Sequence, residues 1–447
     1  MNLEALWGDP EAAPVRIALT GANGGYGRTL LSQVRTLPSI EVAALCDLDT
    51  AKAREMWLDL GGSADELVDP GQDGVVLTDD LERLHDVEFD VLVEATGNPA
   101  RGYAIARSML EAGRHVVMVS KEVDSIAAPE LLSVAERHGV GYTLAGGDQP
   151  ANLVSLVSAV RLMGLEIVAV GKSSEYDLVF DPESGRLQQL DTVVDAPELR
   201  DLLFLGDDVA ATLDARDQAV AALTRSATAD YCEMAVVAAN AGFAPEAERM
   251  RYPVARIDEL ADIYSLQEHG GILGGTDRID VFSALRLPGE ASFAGGVFAV
   301  VRTNDGPTWE TLRGKGHVVS RDGRYACIYL PYHFMGVETA MTILSLARGG
   351  VTTGYRSPQG DVLLAGRARA DIPAGTVLAM GGHHHDVEGV DPVLVRRGEV
   401  AADVLPLYVA SFATATRDIA AGELLTVDNL TGLDAGLLTA AGLAPAA

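Results

Sequence analysis

Basic residues and cysteines are scarce in this sequence of 447 residues. Its 34 lysines and arginines stand against 64 aspartates and glutamates, which gives a formal net charge of -30 at pH 7. Nucleic acids and anionic membranes attract basic surfaces, so this balance argues against both as partners. The three cysteines, Cys46, Cys232 and Cys327, are an odd and scattered set. This usage fits a reducing cytoplasm better than a disulfide framework.

Long apolar runs are also missing. No stretch of about 18 or more apolar residues suggests a membrane span. The N-terminal segment, residues 1–7, shows neither the basic region nor the apolar core of a signal peptide. We therefore expect a cytoplasmic protein, and a chain of this length is expected to form two or three domains.

Residues 15–31 join a short apolar run to a glycine-rich turn and then to a helix-type pattern. Gly21 permits the sharp turn, Gly24 lets the backbone approach a pyrophosphate, and Gly27 lets helix and strand pack closely. The helix N-terminus then presents free N–H groups and a positive dipole end to the phosphates. A second apolar run ends at Asp47, about 20 residues further on, where a ribose-binding carboxylate is expected. This context predicts a site for NAD or NADP.

The choice between the two cofactors stays open at this stage. Asp47 favours NAD, because a carboxylate bonds the ribose 2′-hydroxyl and repels a 2′-phosphate. Lys52 and Arg54 lie nearby in the sequence and would favour NADP.

Short apolar runs and helical patterns alternate through the first 150 residues. Strands are predicted over residues 15–20, 41–46, 74–77, 91–94, 115–119 and 141–144, with helices over 50–60, 100–112 and 129–138. Such alternation predicts an α/β fold with a doubly wound parallel sheet. The turn after the fourth strand, Thr96-Gly97-Asn98, should pass near the nicotinamide, although plain turn chemistry also explains these residues. The predicted cofactor-binding residues are Gly21, Asn23, Gly24, Gly25, Tyr26, Gly27, Asp47, Thr96, Gly97 and Asn98.

Two candidate catalytic residues follow strands of this predicted sheet. Lys121 lies with Glu122 and Asp124 in what the sequence suggests is a charged turn after the strand at 115–119. Asp148 precedes a helix predicted over 151–163. Strand ends are where open α/β sheets bind ligands. A solvated loop for the first group and an N-cap for Asp148 are the structural alternatives.

Three further candidates lie beyond residue 150. Lys172 ends a predicted strand over 166–172, where its ammonium suits a substrate carbonyl or phosphate. Glu233 lies within a mostly apolar helix, where a carboxylate is costly unless it is paired or functional. His333 follows a strand in a Pro-Tyr-His element. For each of them an ordinary structural role is the alternative.

The C-terminal segment changes to short β patterns. Asp371 and Asp418 each begin an Asp-Ile-x-Ala-Gly motif, and each motif is predicted to form a charged turn between two strands. Three consecutive histidines, residues 383–385, precede Asp386 and Glu388. These residues could bind a metal, but adjacent histidines alternate sides on an extended chain and chelate poorly, so a plain loop is the favoured prediction. The predicted domains span residues 1–150, 151–350 and 351–447.

These features together resemble a known family, the homoserine-dehydrogenase-like oxidoreductases with a C-terminal SAF domain. The resemblance covers nearly the whole chain. Its most specific stretches are residues 145–151, Val170-Gly-Lys172, Glu233-Met through Asn240-Ala-Gly, residues 323–333 and the two Asp-Ile-x-Ala-Gly motifs. The family implies an N-terminal Rossmann domain, an α+β catalytic domain and a small β-rich SAF domain. One branch of it contains 1-deoxy-D-xylulose 5-phosphate reductoisomerase-like enzymes.

Two stretches depart from the family pattern. Residues 226–229 are Ser-Ala-Thr-Ala where the family often has Asp-Gly-Thr-Lys, and Glu175 stands where a second lysine follows Lys172. The loss of two cations weakens the case for a phosphorylated substrate.

We therefore expect an NAD(P)-dependent oxidoreductase that transfers hydride between the nicotinamide and a small carbonyl or alcohol substrate. Lys172 is expected to act as acid/base or carbonyl polariser. Asp148 and Glu233 would orient the substrate or ligate Mg or Mn, while Lys121 and His333 would contact its polar groups. A reductoisomerase and a non-enzymatic NAD(P)-binding sensor or scaffold are the alternatives. Expected partners are a small polar substrate and further copies of the chain in a homo-oligomer.

Overall fold

The computed structural model describes residues 2–354 and 361–443. The C-terminal domain predicted over 351–447 therefore includes two stretches, 355–360 and 444–447, that lie outside the described residues. Within the described residues no helix has the length and apolar character needed to cross a membrane.

The first domain is built on seven parallel strands in the order β3-β4-β2-β1-β5-β6-β7. Its strands are β1 Val15–Thr20, β2 Ile40–Cys46, β3 Leu67–Val68, β4 Val75–Thr78, β5 Val91–Glu94, β6 His115–Met118 and β7 Tyr142–Leu144. Its helices are α1 Leu3–Trp7, α2 Gly25–Val34, α3 Thr50–Asp59, α4 Pro99–Glu111 and α5 Lys121–His138. The central strands are almost wholly apolar and buried, as expected for a parallel sheet covered by helices on both faces. The predicted α/β doubly wound sheet is confirmed.

Strand order reverses between β1 and β5. The chain runs from β1 to β2 on one side of the sheet and returns to β5 on the other. In open α/β sheets this reversal opens a crevice at the carboxyl ends of the strands, where ligands bind. The crevice here lies between the loops that follow β1 and β5.

The second domain contains a mixed sheet in the order β11-β10-β9-β13-β8-β14-β15, with β12 paired to β13. Its strands are β8 Ile167–Ser173, β9 Leu178–Asp181, β10 Arg186–Gln189, β11 Thr192–Asp195, β12 Val254–Ala255, β13 Arg278–Arg286, β14 Val297–Arg302 and β15 Tyr325–Leu330. Its helices are α6 Gln149–Leu162, α7 Val209–Ala219, α8 Thr228–Ala241, α9 Leu260–Ile263, α10 Gly306–Gly314 and α11 Gly336–Gly349. Helices α6 and α8 pack together, and α11 returns to pack against α2 of the first domain.

The C-terminal part consists of short antiparallel pairs. Its elements are β16 Val362–Ala368, β17 Met380–Gly381, β18 Asp386–Val387, β19 Val390–Arg396, β20 Thr414–Ala415, β21 Leu430–Thr431 and α12 Ala435–Ala440. Strands β16 and β19 pair with each other and pack on α8, while α12 packs on α4 and α5. The C-terminal part therefore shares an apolar core with both other domains.

The two repeated motifs face each other across an approximate two-fold relation. Ile372 and Ile419 pair in an isolated bridge. The N–H of Ala374 donates to Asp418 at 2.8 Å, and the N–H of Ala421 donates to Asp371 at 2.8 Å. The turns are as predicted, and β16 and β20 precede the two motifs, but the strand expected after each motif is reduced to a one-residue bridge, at Val377 and Leu424.

One predicted loop is wrong. Lys121, Glu122 and Asp124 form the first turn of α5, not a charged turn after β6, and Glu122 and Asp124 are buried. The sequence predicted a helix over residues 129–138 only. In the structure Pro129 lies inside an 18-residue helix.

Candidate active site

The glycine-rich turn leaves open space in front of α2. Gly21 has φ +66°, and a Cβ there would lie 2.2 Å from the carbonyl oxygen of Ala95. A Cβ on Gly27 would lie 2.5 Å from the carbonyl oxygen of Ala22. By contrast, a Cβ on Gly25 would meet nothing within 4 Å, and Gly24 is the N-cap of the helix. Two glycines thus serve close packing and two keep the helix N-terminus clear, which fits a pyrophosphate.

Asp47 is held at the end of β2 by the same turn. Its carboxylate accepts hydrogen bonds from the backbone N–H and the side-chain amide of Asn23, each at 2.9 Å, and from the N–H of Asp49 at 3.0 Å. A cleft of about 790 Å³ opens beside it. Its lining residues are Gly21, Asn23, Gly24, Cys46, Asp47, Leu48, Asp79, Asp80, Leu81, Glu82, Ala95, Thr96, Asn98 and Arg101. The residues present therefore fit a dinucleotide whose adenosine half lies on the β2 side.

The two cations that would favour NADP do not line the cleft, whereas Asp47 does. Lys52 forms an ion pair with Asp49 at 3.1 Å, and Arg54 is exposed on α3.

Tyr26 begins the first turn of α2 with Gly25, but its hydroxyl contacts Thr339 at 2.5 Å and the carbonyl oxygen of Gly146 at 3.3 Å. The Tyr26 side chain thus joins α2 to α11 and lies away from the cleft.

The turn after β5 is built on a buried glutamate. Glu94 accepts hydrogen bonds from the N–H and the hydroxyl of Thr96, at 2.9 and 2.5 Å. Gly97 donates its N–H to the hydroxyl of Ser120 at 2.8 Å, and Asn98 caps α4 through the N–H of Arg101. A dinucleotide bound with its adenosine half toward β2 would extend its nicotinamide half toward this turn and β6.

Two lysines share one buried carboxylate beside that turn. Lys121, at the start of α5, donates to Oε1 of Glu233 at 2.5 Å. Lys172, on β8, donates to Oε2 of Glu233 and to Asp230 at 2.6 Å. Asp230 also accepts a hydrogen bond from the hydroxyl of Tyr252 at 2.9 Å. The site thus joins the first domain to α8 and β8 of the second through charged hydrogen bonds.

Electrostatics keep the two lysines and Glu233 ionised. Burial acts to lower the pKa of Lys172, but the charges of Asp230 and Glu233 outweigh it and raise the pKa above its usual range. The pKa of Lys121 is raised in the same way, against burial, chiefly by Glu233 and Asp148. For Glu233 burial acts to raise the pKa, but the two lysines lower it to about 2. Lys172 is therefore a fixed cation, and the base role that the sequence allowed for it would need the opposite pKa shift.

Burial raises the pKa values of two carboxyl groups, Asp148 and Asp230, and lowers the pKa of His333. Burial raises the pKa of Asp148, opposed by the charge of Lys121. Burial lowers the pKa of His333, opposed by Asp148. Asp148 caps α6 through the N–H of Gln149 at 3.1 Å. The buried Nδ1 of His333 has no hydrogen-bond partner among the described residues.

The histidine triplet lies in the hairpin loop between β17 and β18 and contacts carboxylates. Nδ1 of His385 donates to Oε1 of Glu122 at 2.7 Å, which ties the C-terminal part to the first turn of α5. His383 bonds Glu175 at 2.9 Å, and Nδ1 of His384 lies 3.0 Å from the other oxygen of Glu175. The predicted loop is present, but its histidines contact carboxylates of both other domains, which the sequence did not predict.

Metal ligation by Glu233 finds little support in this geometry. Both of its oxygens accept from lysine ammonium groups. Across residues 2–354 and 361–443 there is no group of three or more His, Cys, Asp or Glu side chains arranged to hold a metal ion.

Sequence reasoning missed Asp230, Tyr252 and His385 as members of the site. Asp230 had a usable signal, because it precedes Glu233 by three residues and so shares a helix face with it. The contact of His385 with Glu122 spans 263 residues and left no local signal.

Comparison with protein families supports the cofactor and the reaction class. Residues 15–141 match the family model of the N-terminus of dihydrodipicolinate reductase. Residues 147–339 match that of the catalytic domain of oxidoreductase DRL. Together these two matches cover the glycine turn, Asp47 and all five predicted catalytic residues.

Several solved structures are similar at low identity. A DOX-P reductoisomerase in complex with NADPH, fosmidomycin and magnesium shares 17% identity over 50% of this chain, with a TM-score of 0.30. That alignment spans little more than half of the reductoisomerase, 57% of its chain. A putative oxidoreductase from Klebsiella pneumoniae shares 15% identity over 78% of this chain and 88% of its own, with a TM-score of 0.34.

GenD2 from gentamicin A biosynthesis, in complex with NAD, shares 16% identity over 77% of this chain and 90% of its own, with a TM-score of 0.37. Similarities of this size do not identify a substrate. The two family matches and the geometry of the cleft nevertheless agree on cofactor and chemistry. The chain is an oxidoreductase that uses NAD or NADP.

Proposed function

We propose that this enzyme transfers hydride between NAD and a small, polar, unphosphorylated carbonyl or alcohol substrate. The observation that carries the proposal is the buried arrangement in which Lys121 and Lys172 share Glu233 beside the nicotinamide side of the cleft. When bound, the cofactor supplies or accepts the hydride. The protein must then bind the substrate, polarise its oxygen and manage one proton.

The two lysines are suited to polarisation. Both stay protonated, so each ammonium can donate a hydrogen bond to a carbonyl oxygen and stabilise the negative charge that develops on it. Lys121 keeps 22% of its side chain exposed, whereas Lys172 is 1% exposed. We therefore assign direct substrate contact first to Lys121. Lys172 is assigned to the same oxygen or to fixing Glu233.

Asp148 and His333 are assigned to the polar groups of the substrate. Both are only partly exposed, and each interacts electrostatically with the other. A carboxylate and an imidazole that lie close enough to interact electrostatically suit hydroxyl groups, which donate and accept hydrogen bonds.

The charge balance supports an unphosphorylated substrate. Each lysine in the site is already neutralised by a carboxylate, and Asp148 adds a further acid. His333 does not add a cation near neutral pH, because its pKa lies below the usual value. A phosphate would require surplus positive charge, which these residues do not supply.

The same reasoning supports NAD over NADP. Asp47, Asp79, Asp80 and Glu82 all line the adenosine side of the cleft. A 2′-phosphate placed there would meet several carboxylates, with Lys52 already paired to Asp49.

We also propose which known domains the second domain and the C-terminal part are similar to. The mixed sheet packed against α6 and α8 supports a catalytic domain like that of homoserine dehydrogenase. The reciprocal hydrogen bonds of Asp371 and Asp418 support an SAF-type module at the C-terminus.

A second candidate function is reductoisomerisation of a keto-sugar phosphate. The sequence resemblance to the family branch that contains 1-deoxy-D-xylulose 5-phosphate reductoisomerase-like enzymes favours it. It would require a divalent metal, for which Glu233 would have to release at least one lysine.

The test is oxidation of NADH and NADPH by the purified enzyme. The panel contains unphosphorylated keto acids and keto polyols, aspartate semialdehyde and deoxyxylulose phosphate, each with and without Mg²⁺ or Mn²⁺. We expect NADH-dependent turnover of an unphosphorylated carbonyl that survives EDTA. Turnover confined to the sugar phosphate and dependent on metal would establish the second candidate instead.

A further inference from the structure

The C-terminal part of the chain, from β16 to α12, is called the C-terminal module below. It places a histidine at the nicotinamide end of the cleft. A Cβ on Gly97, in the turn after β5, would lie 2.7 Å from Cε1 and 3.4 Å from Nε2 of His385. The ring therefore rests directly on the turn toward which the nicotinamide half extends. Neither family match reaches this residue, since the longer-reaching one ends at residue 339.

His385 is oriented by a buried carboxylate. Its Nδ1 donates to Glu122 at 2.7 Å, and the Glu122 side chain is 3% exposed. A carboxylate that accepts from Nδ1–H leaves Nε2 of the neutral ring as a proton acceptor. Nε2 has no protein partner within the part of the chain that the structure describes, and 36% of the His385 side chain stays exposed.

The loop that carries His385 is fixed to the second domain. Its next residue, Asp386, accepts a hydrogen bond from the hydroxyl of Thr228 at 2.5 Å, at the start of the helix that carries Glu233. His384 contacts the ring of Tyr176 edge-on, with centroids 6.4 Å apart. His385 is therefore positioned from both sides of the cleft.

Neither lysine is assigned the proton transfer that the reaction requires. Alcohol oxidation must remove a proton from the substrate hydroxyl, and carbonyl reduction must deliver one. Lys121 and Lys172 stay protonated, and Asp148, whose Oδ1 caps α6, is assigned to the polar groups of the substrate. His333 has no carboxylate bonded to its ring among the described residues, whereas His385 does.

We propose that His385, oriented by Glu122, is the proton-transfer residue of this oxidoreductase, supplied to the active site by the C-terminal module. In alcohol oxidation the O–H bond breaks and Nε2 takes the proton, while the C–H bond breaks and its hydride passes to NAD⁺, leaving a carbonyl. In reduction the imidazolium returns that proton to the oxygen. This inference rests on the proposed hydride transfer.

The charges around the ring suit this role. The hydrogen bond to Glu122 raises the pKa of His385, opposed by burial and by the charge of Lys121, and Asp386 adds a smaller effect in the same direction as Glu122. A base strengthened by its carboxylate is the arrangement that proton abstraction near neutral pH requires.

The experiment uses the whole chain and five variants, one of which, His333→Ala, tests the other histidine near the site. His385→Ala removes the ring, His385→Gln keeps a donor for Glu122 but cannot take a proton, and Glu122→Gln removes the orienting charge. The matched control is His383→Ala in the same loop, since that side chain is 75% exposed and its surface pair contributes little. Rates are measured against pH with whichever panel carbonyl and NADH react.

We expect both His385 variants to lose about 10²-fold or more in kcat/KM. Glu122→Gln should shift the ionisation seen in the pH profile to lower pH, while His383→Ala should match the parent enzyme. A His385→Gln enzyme with the parent rate and pH profile would overturn the proposal. A pH profile that moves with His333→Ala but not with Glu122→Gln would overturn it as well.

A second readout does not depend on the substrate. The nine histidines are labelled with ¹⁵N, and the His385 signals are assigned by their loss in His385→Ala. We expect NAD⁺ to shift the His385 resonances and leave those of His383 in place. Unmoved His385 resonances would refute its placement whether or not turnover is found. Shifted resonances without turnover of any panel member would instead count against the proposed function.

Discussion

Replacing Glu233 by glutamine tests the charged centre of the site. Glu233 accepts from Lys121 and Lys172 at once, which an amide cannot do, because one end of a glutamine side chain is a donor that would face an ammonium. The substitution keeps the size of the side chain and removes its charge.

The expected loss of stability follows from the pKa of this carboxyl. Because the folded protein holds the pKa of Glu233 at about 2 instead of 4.5, it favours the ionised form by about 3 kcal/mol. A pKa lowered by folding stabilises the protein above the unfolded value, and this contribution is lost as the pH falls through the folded value. At pH 7 the full contribution is present, and at about pH 3.5 roughly 2 kcal/mol remains.

The assay is urea denaturation followed by tryptophan fluorescence, at pH 7 and at about pH 3.5. We expect Glu233→Gln to lower the free energy of unfolding by about 3 kcal/mol relative to the parent enzyme at pH 7. The gap between variant and parent should be smaller at the lower pH. The matched control is Glu41→Gln, which breaks the exposed pair with Arg16 at 3.2 Å and should cost less than about 1 kcal/mol. A Glu233→Gln variant as stable as this control, with no change in the gap with pH, would refute the reasoning.

Three further predictions concern the cofactor and the reaction. Gly21→Ala should abolish NAD binding or folding, since its Cβ would lie 2.2 Å from a carbonyl oxygen. Gly25→Ala should fold normally, because the space around Gly25 is open. Circular dichroism measures folding and calorimetric titration measures NAD binding, so the two assays distinguish the variants. Lys172→Met should lower kcat/KM by about 10²-fold or more while the Kd for NADH stays unchanged, and parental turnover would contradict its role. Asp47→Ser should raise the NADPH/NADH ratio of kcat/KM by about tenfold, and an unchanged ratio would show that Asp47 does not select the cofactor.

The first domain could be predicted because its signals are local. Each strand is a short apolar run, and the glycine turn, the ribose carboxylate and the helix that follows occur in a fixed order along the chain. Strand β3, Leu67–Val68, was missed because a strand of two residues has no period to detect. The start of α5 was placed too late, at residue 129 instead of Lys121.

The site could be predicted only in pieces. Lys121, Lys172 and Glu233 were each chosen for their own position on a strand or helix, and the structure joins all three in one hydrogen-bonded group. Their mutual pairing was not predictable, because it depends on how α5, β8 and α8 pack. The sign of the Lys172 pKa shift depends on that pairing as well.

The C-terminal module shows most clearly what could not be predicted from the sequence. Its repeat was visible in the sequence, but the position of the module on the other domains was not. Only packing on α4, α5 and α8 brings His385 to Glu122, and those elements are far from residue 385 along the chain.

The central claim is that the lysine–glutamate site directs hydride transfer to a substrate carbon. The most direct measurement uses NADH deuterated at C4, with the carbonyl that reacts in the panel and mass spectrometry of the product. We predict one deuterium on the carbinol carbon with the parent enzyme and at least about 10²-fold slower labelling with Lys172→Met. A product without deuterium, or labelling at the parental rate in the variant, would contradict the account.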